Sequence, residues 1–188
     1  MNKVCCFLLF SLAVFSFNLH AARVTVKVVK VSGTAQYRTG SSGRWTPIKR
    51  NLELTGNSQI KTDAKSEVSF EIPGKGVVKV HEMSYLKLDK LDLRSKSFNI
   101  RIKLYFGRLW NRFKKNIKGE SSNMTVETPA AVAAVRGTQF YVDSEQKSKT
   151  SKIGVWEGSV EVRSTRKPGF KMVNADYEII VLYNKPLQ

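Results

Sequence analysis

Phe98, Ile100, Ile102, Leu104 and Phe106 fall on every second residue, the longest strict alternation in the chain. Arg101, Lys103 and Tyr105 fill positions between them. Only a strand sorts such a series into one apolar and one polar face, because successive strand side chains point to opposite sides. The run therefore demands a sheet with one buried side. Shorter versions recur. Val24, Val26 and Val28 alternate, and the slip at Val28-Val29 predicts a bulge. Val68, Phe70 and Ile72 lead through Pro73-Gly74-Lys75-Gly76 into Val77-Val78-Lys79-Val80, the pattern of a hairpin. Further strands are expected at residues 85–88, 124–127, 139–142, 153–156, 160–162 and 177–182. Loops are expected at residues 112–122, 143–151 and 164–176. No long amphipathic helix is visible. The expectation is a single all-β domain over residues 23–188, an antiparallel β-sandwich or jelly-roll-like roll. The recurrent strand–glycine–strand rhythm keeps a solenoid-like roll as the alternative.

One stretch departs from this pattern. Residues 128–138, Thr-Pro-Ala-Ala-Val-Ala-Ala-Val-Arg-Gly-Thr, are almost wholly small and apolar. Two local readings compete. Thr128 could cap a short helix with Pro129 at its first position and Gly137 at its left-handed stop. Alternatively the segment is extended and buried against the sheet. In both, small side chains permit close backbone approach, so a bulky residue at Ala131 or Ala134 should overpack. Arg136 could brace carbonyls or a carboxylate such as Glu127 or Glu157, or bind an anion.

Residues 1–22 read as an export signal: Lys3, an apolar run over residues 4–17, then small residues before cleavage near Ala21 or Ala22. Both cysteines, Cys5 and Cys6, lie inside it, so the remaining 166 residues would hold together without disulfides. No later apolar run reaches the length of a membrane helix. The formal net charge is +17, which predicts attraction to polyanions. Export turns that expectation away from nucleic acid and towards an acidic envelope polymer, an anionic lipid surface or a protein partner.

The basic residues are concentrated. Residues 94–118 hold nine Lys and Arg and no Asp or Glu. Arg101, Lys103, Tyr105, Arg108, Trp110, Arg112, Lys114, Lys115 and Lys118 form the candidate contact surface. Cations interleaved with aromatics suit an anionic ligand, whereas a merely solvated face would keep the protein soluble. Catalytic signals are weak. His81 is the one histidine beyond residue 22 and lies in a predicted strand. No cluster has metal-ligand spacing, and Gly74-Lys75-Gly76 lacks the spacing of a phosphate loop. Asp89 and Asp92 read as solvated turn residues. No enzyme activity and no cofactor are expected.

Thr128, Pro129, Val132, Val135, Arg136, Gly137, Thr138 and Phe140 together resemble the T-P…R-G-T signature of FecR-type domains. Val155-Trp156-Glu157-Gly158-Ser159-Val160-Glu161-Val162 resembles the E-G-x-V-x-V strand pair that follows it. Gly56 to Thr62 resembles the G-x-x-I-x-T entry of that family. The likeness runs over residues 26–162, with residues 163–188 as an extension. It implies an extracytoplasmic β domain in which Thr128, Pro129, Arg136, Gly137, Thr138, Glu157 and Gly158 are mainly structural. It implies no catalytic residue. The expected function is a non-enzymatic periplasmic binding or scaffold module. The alternative is a sensor subunit of an extracytoplasmic signalling system.

Overall fold

The structure is a computed structural model and describes residues 24–94, 97–114, 121–135 and 137–187. The expected export signal, Lys115, Lys118 and Arg136 lie outside these residues.

The described chain is all β, with sixteen strands. They are β1 (Thr25–Ser32), β2 (Ala35–Thr39), β3 (Thr46–Pro47), β4 (Glu53–Thr55), β5 (Ser58–Thr62), β6 (Glu67–Ile72), β7 (Gly76–Val80) and β8 (Tyr85–Arg94). After these come β9 (Ser97–Phe113), β10 (Ser121–Glu127), β11 (Ala131–Val135), β12 (Gln139–Glu145), β13 (Thr150–Glu157), β14 (Ser159–Ser164), β15 (Phe170–Asn174) and β16 (Glu178–Leu182). Among the described residues no helix is long and apolar enough to cross a membrane.

Hydrogen bonds join the strands into one mixed sheet that is not closed into a barrel. The sheet folds over into two layers at β9, which belongs to both. The first half of β9 pairs with β8 and β10, and its second half pairs with β7 and β12. One layer runs β4-β1-β6-β7-β9-β12-β13-β16, and the other runs β3-β2-β5-β8-β9-β10-β11-β14-β15. Every pairing is antiparallel except β9 with β10. The hairpins are shared between the layers: β6-β7 and β12-β13 in the first, β8-β9 and β10-β11 in the second. This pairing is that of a folded sandwich, not the parallel coils of a solenoid.

The alternation read from the sequence explains the core. Val26 and Val28, Val68, Phe70 and Ile72, and Val78 and Val80 point inward from the first layer. Phe98, Ile100, Ile102 and Leu104 point inward from the second, and all belong to one buried cluster. The predicted slip in β1 is a bulge at Val29, with Val28 facing Phe70 and Lys30 facing Ser69. The predicted 73–76 turn closes the β6-β7 hairpin, with Gly74 at φ 68°.

The helix reading of residues 128–138 is corrected. Residues 131–135 form a strand. Thr128 closes a tight turn instead: its Oγ1 accepts from Ala131 N–H at 2.8 Å, and its own N–H donates to Ala131 O at 2.8 Å. Four alanines favour helix only weakly, and pairing with β10 and β14 on either side outweighs that preference. Ala131 and Ala133 are buried, whereas Ala134 faces outward and is half-buried. The expected loops at 143–151 and 164–176 are shorter than read, because β12 continues to Glu145, β13 begins at Thr150 and β15 occupies Phe170–Asn174.

Candidate binding surface

The candidate surface begins on β9, and Gly107 divides it. Its φ is 95°, and a methyl group there would collide with Ser84. Ser84 Oγ accepts from the N–H of Arg108 at 3.0 Å. Before Gly107 the outward residues of β9 are Arg101, Lys103 and Tyr105. After it they are Arg108, Trp110 and Arg112. The two triplets lie on the outer faces of different layers.

On the first triplet the positive charge is compensated. Asp89 is the extra residue of a bulge in β8, where Leu88 faces Ile102 and Lys90 faces Arg101. Its carboxylate accepts from Lys87 Nζ at 2.8 Å and lies 3.5 Å from Lys103 Nζ. Glu127 on β10 accepts from Arg101 Nε at 3.1 Å. The hydrogen bond from Lys87 and the charge of Lys103 hold the Asp89 carboxyl below its ordinary value, and Asp89 in turn raises Lys87. The reading of Asp89 as a solvated turn residue is corrected accordingly. Tyr105 stacks on Tyr85 with centroids 4.8 Å apart, and Tyr85 meets the edge of Trp45 at 6.2 Å. Arg38 and Lys61 lie over the Trp45 ring, at 4.7 and 4.6 Å. The aromatics and charges of this face largely satisfy one another.

The second triplet borders an aromatic cluster. Trp110 lies opposite Lys79 on β7 and Tyr141 on β12. Trp156 is left over in the pairing of β12 with β13, where Gln139 faces Glu157 and Phe140 faces Val155. This bulge turns its ring onto the outer face. The Trp156 ring lies 4.6 Å from Trp110 and 5.1 Å from Tyr141, tilted by 45° and 44°. Gly154 lies beneath Tyr141, and a side chain there would strike that ring. His81 flanks Trp110 at 5.8 Å, and burial depresses its affinity for a proton. Trp110 and Trp156 remain 43% and 45% exposed.

Val77, Lys79, Trp110, Arg112, Gln139 and Trp156 line an open cleft of about 630 Å³. Around it, Lys79 pairs with Glu67 at 3.4 Å, and Gln139 Nε2 donates to Glu157 at 2.6 Å. Arg108 pairs with Asp143. Arg112 makes no ion pair among the described residues, and neither does exposed Lys114. A larger depression of about 750 Å³, among Thr39, Asn57, Gln59, Lys87 and Leu91, has no aromatic wall. Among the described residues no group of three His, Cys, Asp or Glu is placed to hold a metal ion.

Apart from Glu157, which meets Gln139 at the cleft, the described signature residues serve the fold rather than the cleft. They are where the chain passes between layers. Gly137 (φ 60°) carries it from β11 to β12, and Gly158 (φ 84°) carries it from β13 to β14. The two crossings touch, since a methyl on Gly158 would press into Thr138. Thr138 is buried and its carbonyl accepts from Phe113 N–H at 3.0 Å. Pro129 O accepts from the Thr165 hydroxyl at 2.7 Å, and Thr128 meets the Ser151 hydroxyl at 2.7 Å.

The model of the family described as FecR protein matches residues 58–161, more than half of the 188. The chain belongs to the FecR family. The matched span runs from β5 into β14 and takes in both touching crossings. The two signature glycines at the crossings are thus explained by the fold: a β-carbon on Gly158 would press into Thr138, and Gly137 holds a positive φ of 60°.

Two crystal structures of a proposed anti-sigma factor from Parabacteroides distasonis ATCC 8503 share the fold. They were determined at 1.65 and 2.50 Å. They superpose with TM-scores of 0.56 and 0.55 at 18% identity, covering 69% of this chain. The match spans 57% of that protein's chain. A search of curated proteins gives no match.

Sequence reading brought Trp110 and Arg112 into the site but missed Lys79, Gln139, Tyr141 and Trp156 as their neighbours. The outward parity of Tyr141 in β12 could have indicated one of them. Nothing in the sequence marks Trp156 as a bulge.

Proposed function

We propose that this FecR-family chain is an exported, non-enzymatic binding module of a regulatory signalling system. It recognises an acidic envelope component or a protein partner outside the cytoplasm, and a separate protein carries the signal onward. The observation that carries this reading is the outer face of the first layer. There two half-exposed tryptophans share a cleft with Arg112, which makes no ion pair among the described residues, on a domain of a family that also supports a regulatory role. His81 packs its ring on Trp110 and so belongs to the aromatic wall beside the cleft. Lys114 extends the basic edge of the cleft, and Lys115 and Lys118 continue the run in sequence.

Two measurements on one strain test the proposal. A fusion of residues 1–30 to alkaline phosphatase should be active, since that enzyme requires an oxidising exterior. Deleting the gene should change the transcription of a discrete set of genes, and the Arg112→Gln/Lys114→Gln variant should reproduce much of that change. An inactive fusion sinks export, and an unaltered transcript profile sinks regulation.

A further inference from the structure

The cleft on the first layer has the build of a saccharide site, and we propose that it binds an acidic sugar oligomer carrying carboxylates on pyranose rings. This deepens the binding reading above by naming the ligand class. The floor and walls are the half-exposed indoles of Trp110 and Trp156, 4.6 Å apart and tilted by 45°. At that spacing the two rings pack on one another and present an angled aromatic platform, on which the flat, weakly apolar C–H face of a pyranose ring can stack. Such burial of aromatic area is the main favourable contribution available here. The fold invests in this arrangement. The bulge at Trp156 re-aims one ring, and Gly154 leaves space for Tyr141 to brace it.

The rim supplies polar partners at the scale of a sugar. The Gln139 amide and the Glu157 carboxylate, hydrogen-bonded to each other, can exchange that bond for hydroxyls. Arg112 offers a planar guanidinium that no described carboxylate engages, and a uronate carboxylate matches it in two-pronged fashion. Lys79 adds a second cation, partly offset by Glu67. A cleft of about 630 Å³ has the volume of a small-ligand site and is open enough for a polymer to continue past it. An acidic peptide would satisfy Arg112 equally well but has no rigid apolar ring face for two tilted indoles. The compensated face of the second layer, with Arg101 and Lys103 held by Asp89 and Glu127, serves as an internal control.

The probe is trigalacturonate, titrated into the full chain and followed by tryptophan fluorescence and calorimetry. The neutral galactose trimer and hexaglutamate are the comparison ligands. Trigalacturonate should bind, the neutral trimer about tenfold more weakly through loss of the charge-assisted contact, and hexaglutamate more weakly still. Trp156→Ala and Arg112→Gln should each weaken trigalacturonate binding by about tenfold, while Arg101→Gln leaves it unchanged. Trp156→Phe, which keeps a ring, should recover part of the loss and guards against misfolding of the alanine variant. Failure of trigalacturonate to bind overturns the proposal. So does hexaglutamate binding as tightly, which would indicate an acidic protein partner. Indifference to Trp156→Ala reduces the effect to bulk charge and overturns it too. None of these results touches export or transcription, so the broader function stands or falls separately.

Discussion

The two halves of β9 are equally basic in sequence and differ in outcome at one residue, Arg112. Before Gly107, Arg101 and Lys103 meet Asp89 and Glu127, carboxylates that reach them from β8 and β10. After it, Arg108 pairs with Asp143, while Arg112 shares a cleft with Trp110 and Trp156 and meets no described carboxylate. A run of like charges along a chain is therefore not a charged surface. Cross-strand neighbours, which the chain supplies from many residues away, decide whether the charge is spent internally or left for a partner.

The largest expected effect comes from removing the divider. Gly107→Val combines a positive φ with a collision against Ser84 and should destabilise the domain by about 3 kcal/mol or more, seen as a lower denaturant midpoint. A wild-type midpoint would mean that the two halves of β9 do not depend on that crossing. Next, Ala131→Leu should cost about 1–3 kcal/mol by overpacking the core, while outward Ala134→Leu should cost well under 1 kcal/mol. Equal costs would contradict the assignment of inner and outer faces on β11.

Asp89→Asn sharpens the comparison directly. It should cost about 1 kcal/mol at neutral pH and make the second layer bind a polyanion more tightly, bringing its face closer to that of Arg112. Because the folded carboxyl titrates below its ordinary value of 3.8, its contribution is present above that value and lost as the pH falls through the lower folded value. Acid titration of the stability of wild type against Asp89→Asn should show the difference vanish at low pH. A difference that persists there would place the effect elsewhere. The smallest expected effect is on stability in Arg112→Gln, within about 0.5 kcal/mol, since that exposed side chain makes no ion pair among the described residues. A larger loss by thermal melting would mean that Arg112 is structural.

Much of the fold was legible because period-two patterning reports directly which side of a strand is buried. The series from Phe98 to Leu104, the hairpin at residues 73–76 and the slip at Val29 were readable in that way, whereas Phe106, next in the alternation, follows the leftover Tyr105 and lies outside the buried core. The Thr128–Thr138 stretch was harder. Its alanines carry helix propensity, and only the neighbouring strands, invisible locally, make it extended. The site was half legible. Trp110 and Arg112 share a short segment, but Trp156 reaches Trp110 through a bulge, and Asp89 reaches Lys103 through another. A bulge is a relation between two strands, so one strand's residues do not disclose it. The spatial split of the basic run at Gly107 was hidden for the same reason.

That split also fixes a length. In β9 the core-facing residues are even-numbered up to Leu104 and odd-numbered from Leu109 onward, and the leftover residue in the pairing with β8 is Tyr105. Both parities point into the same core, so adding or deleting one residue anywhere in this strand would turn one whole half inside out. The hairpin connections at residues 73–75 and 146–149 carry no such constraint and can change length at small entropic cost. Inheritance of this domain should accordingly treat β9 as an indivisible ruler, with variation in length confined to the tips of the hairpins it spaces.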